Sequence, residues 1–255
     1  MILAVDIGNS TVVMGLINNS ELIASRKTVT DISELEVNYK EEIKTLLKSH
    51  SISESKIEGA IISSVVPLLT DILKEAVSDI FKLEPITVNS ESITGIEIIT
   101  DNPSQLGSDR IADAAAGINE YGAPLVIIDM GTATTISVVD EKENYIGGVI
   151  LPGIRVSVDS LVSRTAQLPR ISLDTPKSVM GKNTIDCMKS GVIYGNASCI
   201  DGMLDRIIEA NGFGVNGKPE AKVIATGGLA KVIVPHCKHC LLYTSPSPRD
   251  RQKSR

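Results

Sequence analysis

A repeated segment constrains the fold more than any other feature of this sequence. Residues 2–13 and 126–136 each contain an apolar run that ends in Asp, followed by one apolar residue, Gly and a stretch rich in hydroxyl groups. Identical residues recur 123 positions apart in three pairs: Asp6 and Asp129, Gly8 and Gly131, Thr11 and Thr134. Because one offset accounts for all three pairs, the sequence predicts two duplicated domains.

Each copy is typical of a β-hairpin with Asp-x-Gly at its turn. Glycine lets a backbone approach a phosphate closely, and consecutive backbone N–H groups form an anion-binding nest. The carboxylates suit cations that neutralise a polyphosphate. Two such hairpins facing each other across a cleft would bind a nucleoside triphosphate. The alternative is that Asp-x-Gly only closes a tight turn, the commoner fate of one such tripeptide, but the duplication favours phosphate binding.

The length and composition support two domains of ordinary size. The chain has 255 residues, of which 42% are apolar and 22% charged, enough for a sizeable core. We expect a first domain at 1–120, a second at 121–240 and an atypical tail at 241–255, because residues 121–124 interrupt the helical pattern directly before the second copy. A formal net charge of −6 gives no electrostatic footprint for nucleic acid or an anionic membrane.

Targeting and cysteine patterns indicate a cytoplasmic protein. No apolar run approaches the length of a membrane span, and the N-terminus is typical of a strand rather than a signal peptide. The four cysteines show no disulfide framework, so a reduced compartment is expected. Residues 236–240, His-Cys-Lys-His-Cys, suggest a zinc knuckle, but no second ligand pair has a fitting spacing.

Both halves follow one order of elements: a hairpin, a third strand, then helices alternating with strands. The apolar periodicity predicts third strands at 21–29 and 145–151, later strands at 59–66, 85–88 and 221–225, and helices beginning near 31, 67, 108, 156 and 184. Gly191 and Gly195 interrupt the last helix, and their small size suits close helix packing within the chain or between subunits. The tail from 241 has no apolar period and ends strongly basic. Our hypothesis is that it is foreign to the domain, the alternative being an ordinary disordered tail.

Asp109 is the best candidate for a catalytic base. It lies in the first turn of a predicted helix, where the positive end of the helix dipole favours an ionised carboxylate. Arg110 beside it could bind an anionic group of an acceptor substrate. The alternative is a helix cap followed by a surface arginine. In a chain already expected to bind nucleotide, the functional interpretation is favoured.

Several other chemistries lack their usual motifs. Asp6 and Asp129 are poorer bases, because their positions at the phosphate turns suit cation binding. The sequence has no Gly-x-x-x-x-Gly-Lys-Ser/Thr stretch, so it is not a P-loop enzyme, and no Gly-x-Gly-x-x-Gly fingerprint of a Rossmann dehydrogenase. The three histidines stand outside these phosphate and Gly-Ser-Asp-Arg motifs, which leaves a histidine-dependent triad with little support.

Six motifs taken together resemble type III pantothenate kinase, in the order of that family. They are Asp6-Ile7-Gly8-Asn9-Ser10, Gly107-Ser108-Asp109-Arg110, Asp129-Met130-Gly131-Thr132-Ala133-Thr134, the run 147–153, the run 181–184 and the run 225–230. The resemblance spans about residues 1–239. It implies the duplicated actin-like (ribonuclease H-like) ATPase fold, two α/β domains with central mixed sheets flanked by helices. It also implies transfer of the ATP γ-phosphate to pantothenate, the first step of coenzyme A synthesis.

The resemblance also implies roles for individual residues. ATP would be bound by Asp6, Ile7, Gly8, Asn9, Ser10, Thr11, Val12, Val13, Thr132, Gly227 and Gly228. Pantothenate would be bound by Thr100, Gly107, Ser108, Asp109, Arg110 and Thr184, with Asp109 as the base and Thr184 acting across a homodimer interface. Asp6 would lie near Mg²⁺, and Asp129 would bind the monovalent cation, K⁺ or NH₄⁺, that the family requires.

Three positions depart from the family pattern. Ser10 replaces a usual threonine and keeps the hydroxyl. Thr100 stands where many members have a tyrosine lining the pantothenate pocket, which bears on substrate affinity and selectivity. The tail after about Cys240 matches nothing in the family, which normally ends with another strand and helix. Loss of that element would expose apolar surface of the second domain.

Two alternative functions remain open at this point. The chain could phosphorylate another small hydroxy acid, an interpretation motivated by Thr100. It could also be a transcriptional regulator that keeps the fold without being primarily an enzyme. The intact Asp109, Arg110 and both phosphate turns argue against a regulator, as does the lack of a basic patch in the matched region.

Overall fold

The computed structural model describes residues 1–30, 39–92 and 95–243, apart from the side chain of residue 243. The chain divides into two compact units. Unit 1 contains Met1–Gly95 and Asp101–Ala115, and unit 2 contains Ile96–Thr100 and the chain from Ala116 onward. Within the described ranges, no helix is long and apolar enough to cross a membrane.

Unit 1 is built on a five-stranded mixed sheet. Its elements are β1 (Ile2–Ile7), β2 (Thr11–Asn18), β3 (Glu21–Val29), α1 (Tyr39–Ser49), β4 (Gly59–Ser64), α2 (Pro67–Phe81) and β5 (Ile86–Thr87). The strand order is β3-β2-β1-β4-β5. Strand β2 pairs antiparallel with both β1 and β3, whereas β4 pairs in parallel with β1 and β5 pairs in parallel with β4.

Alternation along β1 separates a core face from a functional face. Leu3, Val5 and Ile7 are almost fully buried, in one apolar cluster with residues of α1 and α2. Asp6 points to the opposite face, because successive side chains of a strand alternate. Its parallel partner in β4 is Ser63, so both side chains lie on that second face near the carboxyl ends of their strands.

Unit 2 repeats this architecture. Its elements are β6 (Leu125–Met130), β7 (Ala133–Val139), β8 (Tyr145–Pro152), α4 (Ile154–Ser163), α5 (Thr184–Asn211), β9 (Lys222–Thr226), α6 (Ala230–Ile233) and β10 (Leu242–Tyr243), following α3 (Ser108–Tyr121) in the chain. The strand order β10-β9-β6-β7-β8 corresponds to that of unit 1. The repeat in the sequence is therefore a repeat of sheet topology.

Helix α3 supplies residues to both units, with Ala115 the last that belongs to unit 1. Its C-terminal half packs closely on β6, since a Cβ built on Gly117 would lie 3.0 Å from Ile127 Cδ1. Residues 125–128 are all buried, so this part of β6 is covered on both faces. A strand covered on both faces has a continuous apolar sequence, as residues 125–128 have here.

Most element positions follow the sequence expectations, with informative differences. The third strand of unit 1 occupies residues 21–29 as expected, and α4 begins two residues earlier than expected. The helix start expected at 31–34 lies outside the described residues. No described atom lies within 4 Å of a Cβ built on Gly191 or Gly195, so these glycines make no close packing within the described chain.

The first residues of the expected tail also differ from the sequence expectation. Leu242 and Tyr243, assigned to a tail foreign to the domain, form β10 and pair in parallel with Ile224 and Ala225 of β9. The open edge of β9 offers backbone hydrogen bonds that need no apolar period in the added strand. Leu242 and Tyr243 therefore belong to the second sheet, whereas residues 244–255 of the expected tail lie outside the described residues and the expected domain boundaries stay a prediction.

A buried carboxylate on α5 fixes the chain leading into β10. Asp201 is 7% exposed and accepts hydrogen bonds from the backbone N–H groups of Lys238 (2.9 Å) and His239 (3.1 Å). Burial raises the pKa of the Cys237 thiol to about 12, with Asp201 adding to the effect. His239 Nε2 lies 2.8 Å from Asp205. In the described part of the chain, no three Cys, His, Asp or Glu residues group as metal ligands, which leaves the zinc knuckle without support.

We predict that Asp201→Ala lowers the free energy of unfolding by about 2 to 3 kcal/mol, because two partly buried N–H groups lose a charged acceptor. Chemical denaturation measures this loss. Asp205→Ala is the matched control on the same helix. Its carboxylate is largely exposed, so a change within about 0.5 kcal/mol is expected. Equal losses in both variants would contradict the assignment.

Candidate functional site

The turn between β1 and β2 is closed by its own backbone and by a threonine. Gly8 N–H donates to Thr11 O (2.9 Å), and Thr30 donates through its hydroxyl to Gly8 O (2.7 Å) and through its N–H to Ser10 O (3.0 Å). Asn9 and Ser10 are exposed at the tip. The turn is thus preorganised, with its polar tip open to a ligand.

The side chains of the predicted ATP motif divide into two groups. Ile7 and Val12 are fully buried, and Val13 pairs with Asp6 across the hairpin. The buried members can contact a ligand only through their backbone. The Asp6 carboxylate and the polar tip are the exposed groups of residues 6–13, and Thr11 and Val13 are half-buried.

Asp6 and Asp109 lie near one another in unit 1. Partial burial raises the pKa of the Asp6 carboxyl, a hydrogen bond from Ser63 opposes that rise, and the negative charge of Asp109 adds to it. The negative charge of Asp109 makes ionisation of Asp6 less favourable, and a cation or a proton donor beside Asp6 offsets that cost. The structure therefore brings together two acids that come from separate sequence motifs.

The beginning of α3 is tied to the end of β4 by a buried hydroxyl. Ser108 Oγ accepts a hydrogen bond from Ser64 N–H (2.8 Å) and donates to Ser64 O (2.9 Å). Asp109 follows in the first turn of the helix, where its Oδ1 accepts from Arg110 N–H (2.8 Å). The second oxygen of Asp109 makes no hydrogen bond among those shown by the structure, which suits it to accept a proton.

The turn between β6 and β7 differs from the first turn by one residue. Ile7 pairs with Val12 across the first turn, whereas Met130 pairs with Thr134 across the second. The second turn is one residue shorter, so the structural counterpart of Thr134 is Val12. The match of Thr11 with Thr134 is therefore an identity of sequence only. The Asp and Gly matches keep equivalent places, since each Asp precedes the last residue of its strand.

Two glycines pack tightly around the second turn. A Cβ on Gly153 would overlap Thr132 O and lie 2.8 Å from Gly131 O. A Cβ on Gly227, where φ is +90°, would overlap Asp129 Oδ1 and lie 2.6 Å from Met130 N. No side chain fits at either place. Gly227 thus lies against Asp129, and Gly153 lies against the backbone of Thr132, all within unit 2.

The remaining predicted residues lie elsewhere. Thr184 is exposed at the first position of α5, which Asn183 caps by accepting from Asp186 N–H (2.9 Å). Gly228 follows Gly227 and has open space around it. Thr100 belongs to unit 2 and the Gly107–Arg110 motif to unit 1. The Thr100 hydroxyl is buried and has no hydrogen-bond partner in the described part of the chain.

Sequence reasoning missed Ser63. Its hydroxyl donates to Ser108 Oγ (3.2 Å) and also lies against Asp6. The available signal was its place: Ser63 and Ser64 end an apolar strand that runs parallel to the strand of Asp6. Parallel strands bring their carboxyl ends to one edge of a sheet. The register that pairs Ser63 with Asp6 cannot be predicted from the sequence of either strand alone.

The carboxylates fit a magnesium-nucleotide better than an all-protein metal cage. Among the described residues no group of three potential metal ligands occurs. Mg²⁺ in phosphate-transferring sites is usually held by one or two carboxylates together with phosphate oxygens and water. Asp6, whose side chain is accessible beside a preorganised turn, is the residue of unit 1 that fits this role.

We predict that Gly227→Ala lowers the free energy of unfolding by about 3 kcal/mol or more, because the added Cβ meets backbone atoms at a positive φ. Gly228→Ala is the matched control, since a Cβ there meets nothing within 4 Å, and it should change stability by less than about 1 kcal/mol. Urea denaturation compares the two. Similar stabilities of both variants would contradict the close packing at Asp129.

Solved structures share this fold at low sequence identity. A conserved Baf-family protein from Campylobacter jejuni, described as a transcriptional activator, is 21% identical, with a TM-score of 0.54 over 95% of this chain and 90% of that one. Component A of (R)-2-hydroxyglutaryl-CoA dehydratase from Acidaminococcus fermentans is 13% identical, with the same TM-score and coverage. These likenesses bear on the fold alone and confirm the expected actin-like ATPase fold, with two mixed sheets flanked by helices.

Sequence comparisons reach further than the fold. A type III pantothenate kinase from Exiguobacterium sp. (strain ATCC BAA-1283 / AT1b) is 42% identical over 238 residues, which cover 93% of this chain and 91% of that protein. The family model for type III pantothenate kinase matches residues 2–206. The resemblance seen in the motifs is confirmed, and the chain belongs to the type III pantothenate kinase family.

Proposed function

We propose that this chain transfers the γ-phosphate of ATP to the hydroxyl of pantothenate, giving 4′-phosphopantothenate in the first step of coenzyme A synthesis. Membership of the family supports the reaction. The observation that carries it is the proximity of Asp6 and Asp109, which influences the pKa of Asp6. Phosphoryl transfer needs one carboxylate near the phosphates and another near the acceptor hydroxyl, together with positioning and charge stabilisation.

ATP is bound by residues from both repeats. Residues 6–13 contact the phosphates, mainly through the backbone and the polar tip of the first turn. Thr132 contacts the nucleotide from the second turn, and Gly227 and Gly228 lie near the adenosine. Asp6 holds Mg²⁺, which supplies positive charge to the phosphate oxygens when bound.

The acceptor is held by the Gly107–Arg110 motif. Arg110 pairs with the pantothenate carboxylate, for which a guanidinium is suited. Asp109 accepts the proton of the attacking hydroxyl through the oxygen that Arg110 N–H leaves available. Thr100 and Thr184 complete the binding of pantothenate. The partnerless hydroxyl of Thr100 supports this role, because a bound substrate with a polar group would satisfy it.

Asp129 binds a monovalent cation, K⁺ or NH₄⁺. Its carboxylate lies beside the tightly packed Gly227 and the end of β6, where it would supply an oxygen ligand to the cation. A cation there contributes positive charge that a P-loop lysine provides in other kinases.

The active form is a cytoplasmic homodimer in which Thr184 reaches the partner's pantothenate. The region around Thr184 supports such an interface, because the apolar residues Val179, Met180 and Ile185 are exposed. The open space at Gly191 and Gly195 on α5 leaves room for a second copy. We therefore retain the between-subunit interpretation of these glycines as a proposal.

We predict that Asp109→Asn lowers kcat for pantothenate phosphorylation by about 100-fold or more, since the amide cannot accept the hydroxyl proton. The measurement is ATP-dependent product formation at saturating pantothenate with Mg²⁺ and K⁺. Asp71→Asn, an exposed acidic residue on α2, is the control and should keep the wild-type rate. An Asp109→Asn enzyme with an undiminished kcat would reject Asp109 as the base.

A second prediction concerns the monovalent cation. Replacing K⁺ by a bulky organic cation should reduce the wild-type rate at least tenfold, because charge at the phosphates is lost, an effect worth about 1.4 kcal/mol. Asp129→Asn should show the low rate in either salt. A K⁺ response that persists in the variant would move the cation site away from Asp129.

A further inference from the structure

Two buried serine hydroxyls lie between the regions of Asp6 and Asp109. Ser63, at the end of β4, is 8% exposed, and Ser108, the first residue of α3, is 5% exposed. Their oxygens are 3.2 Å apart. Both serines belong to unit 1, as do the two acids.

The hydroxyl of Ser108 has no capacity left for a substrate while Ser63 donates to it. A serine hydroxyl has one proton and two acceptor lone pairs. The proton goes to Ser64 O, and the lone pairs accept from Ser64 N–H and from the Ser63 hydroxyl. Ser108 therefore fixes the start of α3 on the end of β4, although sequence reasoning placed it among the substrate contacts.

The hydroxyl of Ser63 has two possible acceptors. Ser63 is the parallel neighbour of Asp6 in the sheet, and its hydrogen bond to that carboxylate lowers the pKa of Asp6 against the effect of burial. The same proton can be directed to Ser108 Oγ. Ser63 thus lies between Asp6, the second-last residue of β1, and Ser108, the first residue of α3, which Asp109 follows.

We propose that Ser63 and Ser108 form a positioning pair that sets the placement of the Asp6 carboxylate relative to the first turn of α3, which carries Asp109. This inference rests on the proposed function, adds Ser63 to it, and assigns the Ser108 hydroxyl to positioning the acids, so that this residue of the acceptor motif can contact the substrate through its backbone. Displacement of a reacting group by about 1 Å can lower a rate about 100-fold, so the loss of one short connection has a measurable effect.

A double-mutant cycle distinguishes positioning from a purely structural role. Ser63→Ala and Ser108→Ala should each lower kcat about tenfold, and the double variant should fall about tenfold as well, because either change breaks the same connection. Independent effects would instead multiply to about 100-fold. If Ser63→Ala does not fold, the kcat of Ser108→Ala is compared with that of the wild type instead.

Ser137→Ala is the matched control. Ser137 is also buried, and its hydroxyl lies 3.2 Å from that of Tyr145 on the second sheet. It should melt at about the same temperature as the Ser63 and Ser108 single variants, with an unchanged kcat. A purely structural role of Ser63 and Ser108 predicts wild-type kcat for their folded variants too, and that result would overturn the proposal, as would multiplicative effects.

A binding measurement separates this proposal from the proposed function. Calorimetric titration with Mg·ATP should show affinity several-fold weaker for Ser63→Ala than for wild type and Ser137→Ala, since Asp6 loses its orienting donor. If the wild type binds Mg·ATP without phosphorylating pantothenate, the substrate assignment fails, while weaker binding by Ser63→Ala still supports the positioning of Asp6. Unchanged affinity in Ser63→Ala would overturn that positioning whichever substrate is used.

Discussion

The placement of Asp6 is the constraint on which the first unit depends. A carboxylate at the end of a buried strand loses hydration, and a second carboxylate on α3 makes its ionisation still less favourable. Such an arrangement is maintained because the sheet, the hairpin turn and the β4 serines fix the backbone on every side of it. In the proposed function, Mg²⁺ and the phosphates that accompany it would offset this unfavourable charge.

The second unit has the same sheet topology, but the turn after its first strand has a different local structure. Its turn is one residue shorter, and glycine packing at Gly153 and Gly227 brings backbone against backbone around Asp129. Because the backbone segments approach closely there, the surroundings of Asp129 contain backbone carbonyl and N–H groups rather than side chains. This difference agrees with distinct proposed roles for the two repeats, a divalent cation with phosphates at Asp6 and a monovalent cation at Asp129.

The hairpins, the third strands and most helices could be predicted because their signals are local. Alternation along β1, the cap and proline positions of the helices, and the repeated Asp-x-Gly turns are all visible within short segments. The shorter second turn could not be predicted. Thr134 lies 123 positions after Thr11, as in the other matched pairs, but only the strand pairing shows that the two threonines occupy different places in their hairpins. The pairing of β10 depends on the open edge of β9, and the contact of Ser63 with Ser108 joins residues 45 positions apart. These features arise from tertiary structure, in which propensity has little influence.

The most direct test of the account follows both products of one reaction by ³¹P NMR. Wild-type protein with ATP, Mg²⁺, K⁺ and pantothenate should form a new phosphomonoester signal, coupled to the adjacent methylene protons, in a one-to-one ratio with ADP. That result would establish transfer to the pantothenate hydroxyl. Formation of ADP with inorganic phosphate alone would show hydrolysis by a nucleotide-binding protein of this fold and would contradict the assignment as a pantothenate kinase.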